Sequence, residues 1–278
     1  MHELESFINK LMIGKDMSKT RFIGCVAAKG GVGKTTSAIN LAAALSYLGK
    51  SAILVDANLT TPNIGLYLGL PIPPVTLHDV LSNKNDVSEA VYTYRDGMKI
   101  LPASIALKDA KKVDANKIKS VVSELYGNSD FVIVDSPAGL TRETLCAIKS
   151  VEEVLIITNP EMPAVTDALK TVKVCKELGK KVLGVVVNKT NSKNADMPMK
   201  DIEAILEIPI IGIVPEDRAV KFSQVRKETV VHTYPKSASA VQYKRLAADL
   251  SGVHYSERAE LEEKGFVYSV LRFLGFKD

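Results

Sequence analysis

Two lysines stand at the two ends of a glycine-rich loop near the beginning of the chain. The segment AAKGGVGKTTSAIN, residues 27–40, places Lys29 five positions before Lys34. Three glycines between them allow backbone N–H groups to converge on phosphate oxygens, because glycine has no Cβ to obstruct the approach. Lys34 then brings positive charge to the β- and γ-phosphates, so the loop predicts a nucleoside triphosphate site. Its expected phosphate-binding residues are Lys29, Gly30, Gly31, Val32, Gly33, Lys34, Thr35 and Thr36.

The residues around the loop supply the context that phosphate binding requires. An apolar run, RFIGCVAA, precedes the loop and predicts a strand, and a helix is expected from about Thr35 onward. The positive end of that helix points at the loop, and the Thr35 hydroxyl is expected to ligate Mg²⁺. The role of Lys29 stays open at this point. It is either a solvated charge at the rim or a cation that reaches phosphates of its own.

Two aspartates end apolar runs further along the chain. Asp56 lies in LVDAN and Asp135 in FVIVDSPAG. Ligands bind at the carboxyl ends of the strands in open α/β sheets, and a carboxylate there can hold Mg²⁺ directly or through water. Each aspartate could instead cap a helix or form a turn. The predicted magnesium ligands are therefore Thr35, Asp56 and Asp135.

A planar amide is expected at the nucleotide base. Asn188 ends the apolar run VVVNKT, where its side chain can pair with the edge of a base. A guanine-reading N-K-x-D motif is missing from this segment, because Asn191 stands where its aspartate would be. The sequence therefore favours adenine, and ATP with Mg²⁺ is the expected cofactor pair.

The elements that must position these residues alternate along the chain. Six apolar runs read as strands buried on both faces: RFIGCVAA, SAILVDA, FVIVDS, EVLIIT, KVLGVVVNK and IPIIGIVPE. Helices are expected between them, at 35–47, 114–125, 141–149, 164–178, 198–206 and 237–250. Repeated strand–helix–strand units predict an α/β fold, a doubly wound, mostly parallel sheet with helices on both faces.

Composition bounds the class of protein. The chain has 278 residues, of which 46% are hydrophobic and 24% charged, and a formal net charge of +4. These values are typical of a globular domain, and the mild charge without a long basic block makes nucleic acid an unlikely partner. Three widely separated cysteines argue against disulfides or a zinc site and indicate a reducing cytoplasm. No apolar run reaches about 18 residues, so no membrane span is expected.

Both ends carry apolar stripes at helical spacing. Residues 1–20 form an expected N-terminal extension, which either packs on the domain or stays loose. Its stripe consists of Leu4, Phe7, Ile8, Leu11 and Met12. Residues 252–278 form a tail whose helix either docks on the domain or lies in a membrane interface. Its apolar arc consists of Phe266, Val267, Val270, Leu271, Phe273 and Leu274. The ATPase domain is expected between them, at 21–251.

Five separated motifs resemble the MinD family of deviant-Walker ATPases: K-G-G-x-G-K-T-T, VDANLTTPNIGLYLG, DFVIVDSPAG, ITNPE and GIVPED. The resemblance covers residues 21 to about 251. It implies an ATPase that dimerises face to face when ATP binds, with Lys29 crossing to the partner's phosphates. It also implies that Asn188 and Pro215 lie at the adenine and Glu161 near the dimer face. The tail is similar to the family's C-terminal membrane-targeting helix.

One position departs from the family. Asn58 stands where the family usually has an aspartate that positions the attacking water. The resemblance therefore assigns catalysis to Lys29, Lys34 and Asn58, with ATP binding retained and hydrolysis expected to be slow. Alternatively, Asn58 only shapes the turn after its strand.

The predicted function is a homodimerising ATPase that cycles between cytoplasm and the inner face of the cell membrane to position other cellular machinery. An unidentified protein partner or activator is expected. The first alternative is a ParA-type partition ATPase that binds DNA nonspecifically, although the lipid-seeking tail counts against it. The second is a metabolic enzyme or metal carrier on the same fold, and an iron–sulfur carrier would need the paired cysteines that this chain lacks.

Overall fold

The strands seen in the computed structural model form one sheet. The structure describes residues 20–106, 109, 113–191 and 196–256. Within these residues eight strands follow the order β3-β4-β2-β5-β1-β6-β7-β8 across the sheet. Their bounds are β1 Arg21–Ala27, β2 Ala52–Asp56, β3 Tyr92–Thr93, β4 Lys99–Leu101, β5 Phe131–Ala138, β6 Glu153–Thr158, β7 Lys181–Thr190 and β8 Ile210–Pro215.

Neighbouring strands are parallel except for β3, which pairs antiparallel with β4 at one edge. The six predicted strands are present, and the central ones are buried along almost their whole length. The parallel register sets Asp56 of β2 beside Asp135 of β5. Strand order thus brings the two predicted carboxylates to the same edge of the sheet.

Helices cover both faces of the sheet. Their bounds are α1 Lys34–Tyr47, α2 Ile64–Leu68, α3 Leu77–Leu81, α4 Ile118–Ser123, α5 Arg142–Lys149, α6 Met162–Glu177, α7 Met199–Leu206, α8 Arg218–Val225, α9 Val230–Thr233 and α10 Ala238–Ser251. The helix predicted at 114–125 is shorter, because a single 3₁₀ turn, Ala115–Lys117, precedes α4. Hydroxyl and carboxylate side chains accept backbone N–H groups at several helix starts and so fix where those helices begin. They are Thr141, Asp217, Thr229 and Ser237.

Two apolar cores lie on opposite faces of the sheet. On one face, α1 and α10 pack together over the strands and bury Ile39, Leu45 and Leu246. On the other face, α4 to α7 bury residues that include Val122 and Val172. The predicted doubly wound architecture is therefore confirmed.

The two ends of the chain lie mostly outside the described residues. The predicted N-terminal helix at 1–20 and the apolar arc of the tail fall there, so the three-part division of the chain stays a prediction. Among the described residues, no helix combines the length and apolar character needed to cross a membrane.

Candidate functional site

The glycine loop leaves β1 and enters α1 through left-handed backbone conformations. Gly33, the residue before α1, has φ of 92°, and Gly31 has φ of 81°. Residues with a Cβ rarely adopt these angles. A Cβ on Gly33 would also collide with the side-chain amide of Asn188. Glycine at this position therefore allows the loop to lie directly against the end of β7.

Asp135 holds both side chains that the sequence assigns to phosphate and magnesium. The Lys34 ammonium donates to Asp135 Oδ1 over 2.5 Å, and the Thr35 hydroxyl donates to Oδ2 over 2.6 Å. Lys34 is 7% exposed and Asp135 is 1% exposed. Charge-assisted hydrogen bonds of this kind are stronger than those between neutral groups, and here they fix the Lys34 side chain against Asp135.

Asp56 lies next to Asp135 and is also buried. Its carboxylate accepts backbone N–H groups from Asn58, Asn63 and Ile64, at 3.3, 3.1 and 3.1 Å. Burial, and after it the negative charge of Asp135, raise the pKa of Asp56 to about 7, although the backbone donors and Lys34 oppose both effects. Asp135, which contacts the Thr35 hydroxyl, and the neighbouring Asp56 supply hard oxygen donors, which is the chemistry that Mg²⁺ prefers. The residues present therefore fit a magnesium ion.

Asn58 forms a closed turn with Thr61. Its amide nitrogen donates to the Thr61 carbonyl over 2.5 Å, while its oxygen accepts from the Thr61 N–H and hydroxyl, both at 3.1 Å. Asn58 also borders the cleft described below. These contacts support its turn-forming role, and its assignment to water positioning stays a prediction.

Asn188 connects the base side of the site to the glycine loop. Its amide nitrogen donates to the Val32 carbonyl over 2.8 Å, and the residue is 5% exposed. The next residue, Lys189, donates from Nζ to the Gly31 carbonyl over 2.7 Å. One N–H of the Asn188 amide is engaged by Val32, so its oxygen remains to accept and its second N–H remains to donate. Pro215 ends β8 and lies on the same side of the cleft.

Lys29 occupies different surroundings from Lys34. Its ammonium forms an ion pair with Glu161 Oε2 over 3.0 Å, and the two side chains are 38% and 57% exposed. Glu161 immediately precedes α6. The first lysine of the loop is thus an exposed rim cation, whereas the second is buried against Asp135.

A cleft of about 1110 Å³ brings the predicted residues together. Ten of them line it: Lys29, Gly31, Val32, Gly33, Lys34, Thr35, Thr36, Asn58, Asn188 and Pro215. Three predicted residues do not line it, and two of these, Asp56 and Asp135, are buried. Gly30 is the third, and it is exposed.

Sequence reasoning missed several lining residues. They are Thr60, Thr61, Tyr67, Arg142, Glu143, Lys189, Glu216, Asp217 and Gln224. Position next to a predicted residue could have indicated Lys189 and Glu216. Tyr67 of α2 and Gln224 of α8 carried no such signal, because only the tertiary fold brings these segments to the cleft.

Comparison with known proteins gives consistent matches. A family model described as ParA, NUBPL iron-transfer P-loop NTPase, matches residues 18–251. An uncharacterized ATP-binding protein of Methanocaldococcus jannaschii is 35% identical over 252 residues, which are 91% of this chain and 96% of that protein. The cell division ATPase MinD of Pyrococcus furiosus has a TM-score of 0.82 and 35% identity, covering 85% of this chain and 100% of its own. The septum site-determining protein MinD of Pyrococcus horikoshii, solved in complex with Mg-ADP, has a TM-score of 0.81 and 33% identity, covering 84% and 96%.

Proposed function

The chain belongs to the ParA/MinD family of P-loop NTPases, and from this membership we propose that it is an ATPase whose ATP-bound form dimerises face to face and associates with the membrane. The observation that carries the proposal is the contrast between the two loop lysines. Lys34 is buried on Asp135, whereas Lys29 lies exposed at the rim. A rim cation can leave its surface partner and reach a second subunit, which the buried lysine cannot do.

The nucleotide is proposed to be ATP bound with magnesium. Backbone N–H groups of the loop and the Lys34 ammonium bind the phosphates, while Thr35, Asp56 and Asp135 hold the metal directly or through water. When bound, magnesium neutralises charge that develops on the phosphate oxygens. The Asn188 oxygen accepts from the amino group of adenine, whereas guanine would present an acceptor at the corresponding position. The second N–H of the Asn188 amide could still donate to guanine, so the preference for adenine rests on the missing N-K-x-D motif, in which Asn191 stands at the aspartate position.

Hydrolysis is proposed to be slow. Phosphoryl transfer depends on positioning and on electrostatic stabilisation, and Asn58 supplies neither a negative charge nor a free amide oxygen. Its oxygen accepts two hydrogen bonds from Thr61. The ATP-bound dimer would therefore persist, and the time it spends on the membrane would be set by an activating protein.

The three cysteines bear on the iron-transfer description of the family model. Cys25, Cys146 and Cys175 are each buried and unpaired. Burial also raises the pKa of the Cys25 thiol to about 12 and that of Cys175 to about 11. A thiolate is the form that ligates metal, so these side chains do not support a role in carrying iron.

Membrane association is proposed to use the apolar tail. One amphipathic helix binds a lipid surface weakly, and a dimer that presents two of them gains through effective concentration. ATP binding would then control attachment at the inner face of the cell membrane, where the protein positions other machinery.

Co-sedimentation tests the proposal and its DNA-binding alternative together. Protein is mixed with anionic liposomes or with duplex DNA, in ATP, in ADP and without nucleotide. We expect the protein to sediment with liposomes in ATP but not in ADP or without nucleotide. This sedimentation should be lost in Lys34→Ala and in Lys29→Ala. Nucleotide binding should be abolished only in Lys34→Ala. Sedimentation with DNA and not with liposomes would replace the proposal by the partition function, and a Lys29→Ala protein that still dimerises in ATP would remove the cross-subunit role.

A further inference from the structure

A buried histidine joins the loop that follows β2 to the segment that follows β4. His78 of α3 is 2% exposed. Its Nε2 lies 3.0 Å from the Leu59 carbonyl oxygen, and its Nδ1 lies 3.0 Å from the backbone nitrogen of Ser104. The two backbone contacts, from Leu59 O through the ring to Ser104 N–H, are called the His78 bridge below.

The chemistry of these partners determines the form of the ring. A backbone N–H can only donate, so Nδ1 accepts from Ser104 and carries no proton. The single proton of the neutral ring then sits on Nε2, which donates to the Leu59 carbonyl. Burial lowers the pKa of His78, which favours this neutral form. The bridge is therefore directional, with a donor facing the loop after β2 and an acceptor facing the segment after β4.

The Leu59 end of the bridge lies in the turn of residues 58–61 that follows β2. Leu59 is 2% exposed and stands between Asn58 and Thr60, both of which line the cleft. On the exposed side of the same loop, the Thr60 hydroxyl donates to Glu143 Oε1 over 2.5 Å. The turn is thus contacted by His78 at Leu59 and by Glu143 at Thr60.

Further hydrogen bonds hold the segments that contact His78. The Leu77 N–H donates to the Pro102 carbonyl over 2.8 Å, which fixes the start of α3 to the chain leaving β4. Thr76 and Asp79 form a reciprocal capping box at the same helix start. Ser104 is in turn fixed through its hydroxyl, which donates to Asp109 Oδ2 over 2.7 Å. Because these hydrogen bonds fix α3 and Ser104, the imidazole ring can in turn fix the position of the Leu59 carbonyl.

We propose that His78 is a positioning residue of the ATPase site, and that its Nε2–H to Leu59 O hydrogen bond holds the turn of residues 58–61 in place at the wall of the nucleotide cleft. This inference rests on the proposed ATP hydrolysis. The hydrogen bond concerns the chemical step, because the turn carries Asn58 and Thr60, which line the cleft, while the phosphates are bound by the separate glycine loop. Small displacements of such groups have large effects on rate.

Two amide substitutions separate the ends of the bridge. The amide nitrogen of glutamine in His78→Gln reaches about as far as Nε2 and retains the donor to Leu59. The amide oxygen of asparagine in His78→Asn lies near Nδ1 and retains the acceptor for Ser104. Each variant loses one hydrogen bond, so a purely structural role predicts similar behaviour of the two. A positioning role predicts that they differ.

The test measures ATP turnover and backbone exchange on the full chain. His78→Gln should keep kcat within about twofold of the unsubstituted protein, while His78→Asn should lower it roughly tenfold with KM nearly unchanged. Hydrogen–deuterium exchange at amides 58–64 should rise in His78→Asn and stay low in His78→Gln. Equal kcat values together with equal exchange in the two variants would overturn the inference.

Two further results keep the inference separate from the proposed function. If the unsubstituted protein does not hydrolyse ATP, the proposed function fails, and the exchange pattern still decides whether His78 holds the turn. If His78→Asn does not fold, the tautomer of His78 is read instead from the imidazole ¹⁵N shifts of the unsubstituted protein. The His78 signals are identified as those that disappear in His78→Gln. An Nε2–H tautomer is expected, and an Nδ1–H tautomer overturns the inference.

Discussion

Removing the surface partner of Lys29 should strengthen the ATP-dependent dimer. In the structure the Lys29 ammonium pairs with Glu161 over 3.0 Å. If Lys29 crosses to the phosphates of a second subunit, it must first leave Glu161, and the dimer bears that cost once per subunit. Glu161→Gln removes the charge that holds Lys29 and keeps a side chain of nearly the same size.

The magnitude follows from the exposure of the pair. Side chains that are 38% and 57% exposed belong to the surface class, for which an ion pair contributes about 0.2–1 kcal/mol. Two such pairs are broken in each dimer, so Glu161→Gln should tighten dimerisation by about 0.4–2 kcal/mol, which corresponds to roughly 2- to 30-fold. Salt screens exposed charges, so the difference should shrink as the ionic strength rises.

The assay is a sedimentation-velocity titration of protein with ATP and magnesium at low and high salt. Asp167→Asn is the matched control, because it removes another exposed ion pair on α6, to Lys170 at 3.1 Å, and should leave dimerisation unchanged. A Glu161→Gln dimer that is equally stable or weaker than that of the unsubstituted protein would refute the reasoning. It would show that Glu161 contributes to the interface rather than restraining Lys29.

Three further predictions concern the glycine loop, the turn of residues 58–61 and the C-terminal tail. Gly33→Ala should lower Tm and abolish ATP binding, because the left-handed φ of 92° costs about 1–2 kcal/mol and the new methyl group displaces Asn188. The control for calorimetry is Gly179→Ala, since Gly179 has φ of 67° and open space around it. An equal loss of Tm in both variants would contradict the predicted collision with Asn188. Asn58→Asp should raise the single-turnover hydrolysis rate roughly tenfold, about 1.4 kcal/mol of barrier, whereas an unchanged or lower rate in a quench experiment would leave only the turn-forming role. Phe273→Glu places a charge in the apolar arc of the tail and should abolish liposome sedimentation while ATP affinity stays constant; sedimentation that persists, or a lowered Tm, would favour a helix docked on the domain.

The fold was largely predictable because its central strands are buried on both faces. Burial on both sides requires nearly continuous apolar runs, and these indicated six of the strands. β3 and β4 have two and three residues, which is too short to display a period. The helices α2, α8 and α9 were likewise missed. α2 and α9 have five and four residues, too few turns for an apolar stripe to stand out, whereas α8 buries only Ser223 and leaves Phe222 and Val225 exposed, so its apolar residues mark no buried face.

The candidate site divides in the same way. The glycine loop could be recognised because phosphate binding requires a contiguous pattern of glycine, lysine and threonine. Asp56 and Asp135 could be placed at one edge, because parallel strands end together. The side chains that complete the cleft from α2 and α8 were not predicted, since nothing within either short segment specifies its position relative to α1.

The sequence alone determined the strand–loop–helix unit, the parallel sheet and the identity of the nucleotide class, because each depends on residues adjacent in the chain or repeated at a fixed period. Only the tertiary structure decided which groups meet. Asp135 lies 101 residues from Lys34, Asn188 lies 156 residues from Val32, and Glu161 lies 132 residues from Lys29. These partners are set by strand order and register, and hydrogen bonds form only within a few tenths of an ångström of their ideal length. A periodic sequence pattern does not specify distances to a few tenths of an ångström between residues so far apart in the chain. The pairing of Lys29 with Glu161 and of His78 with Leu59 is therefore visible only in the tertiary structure.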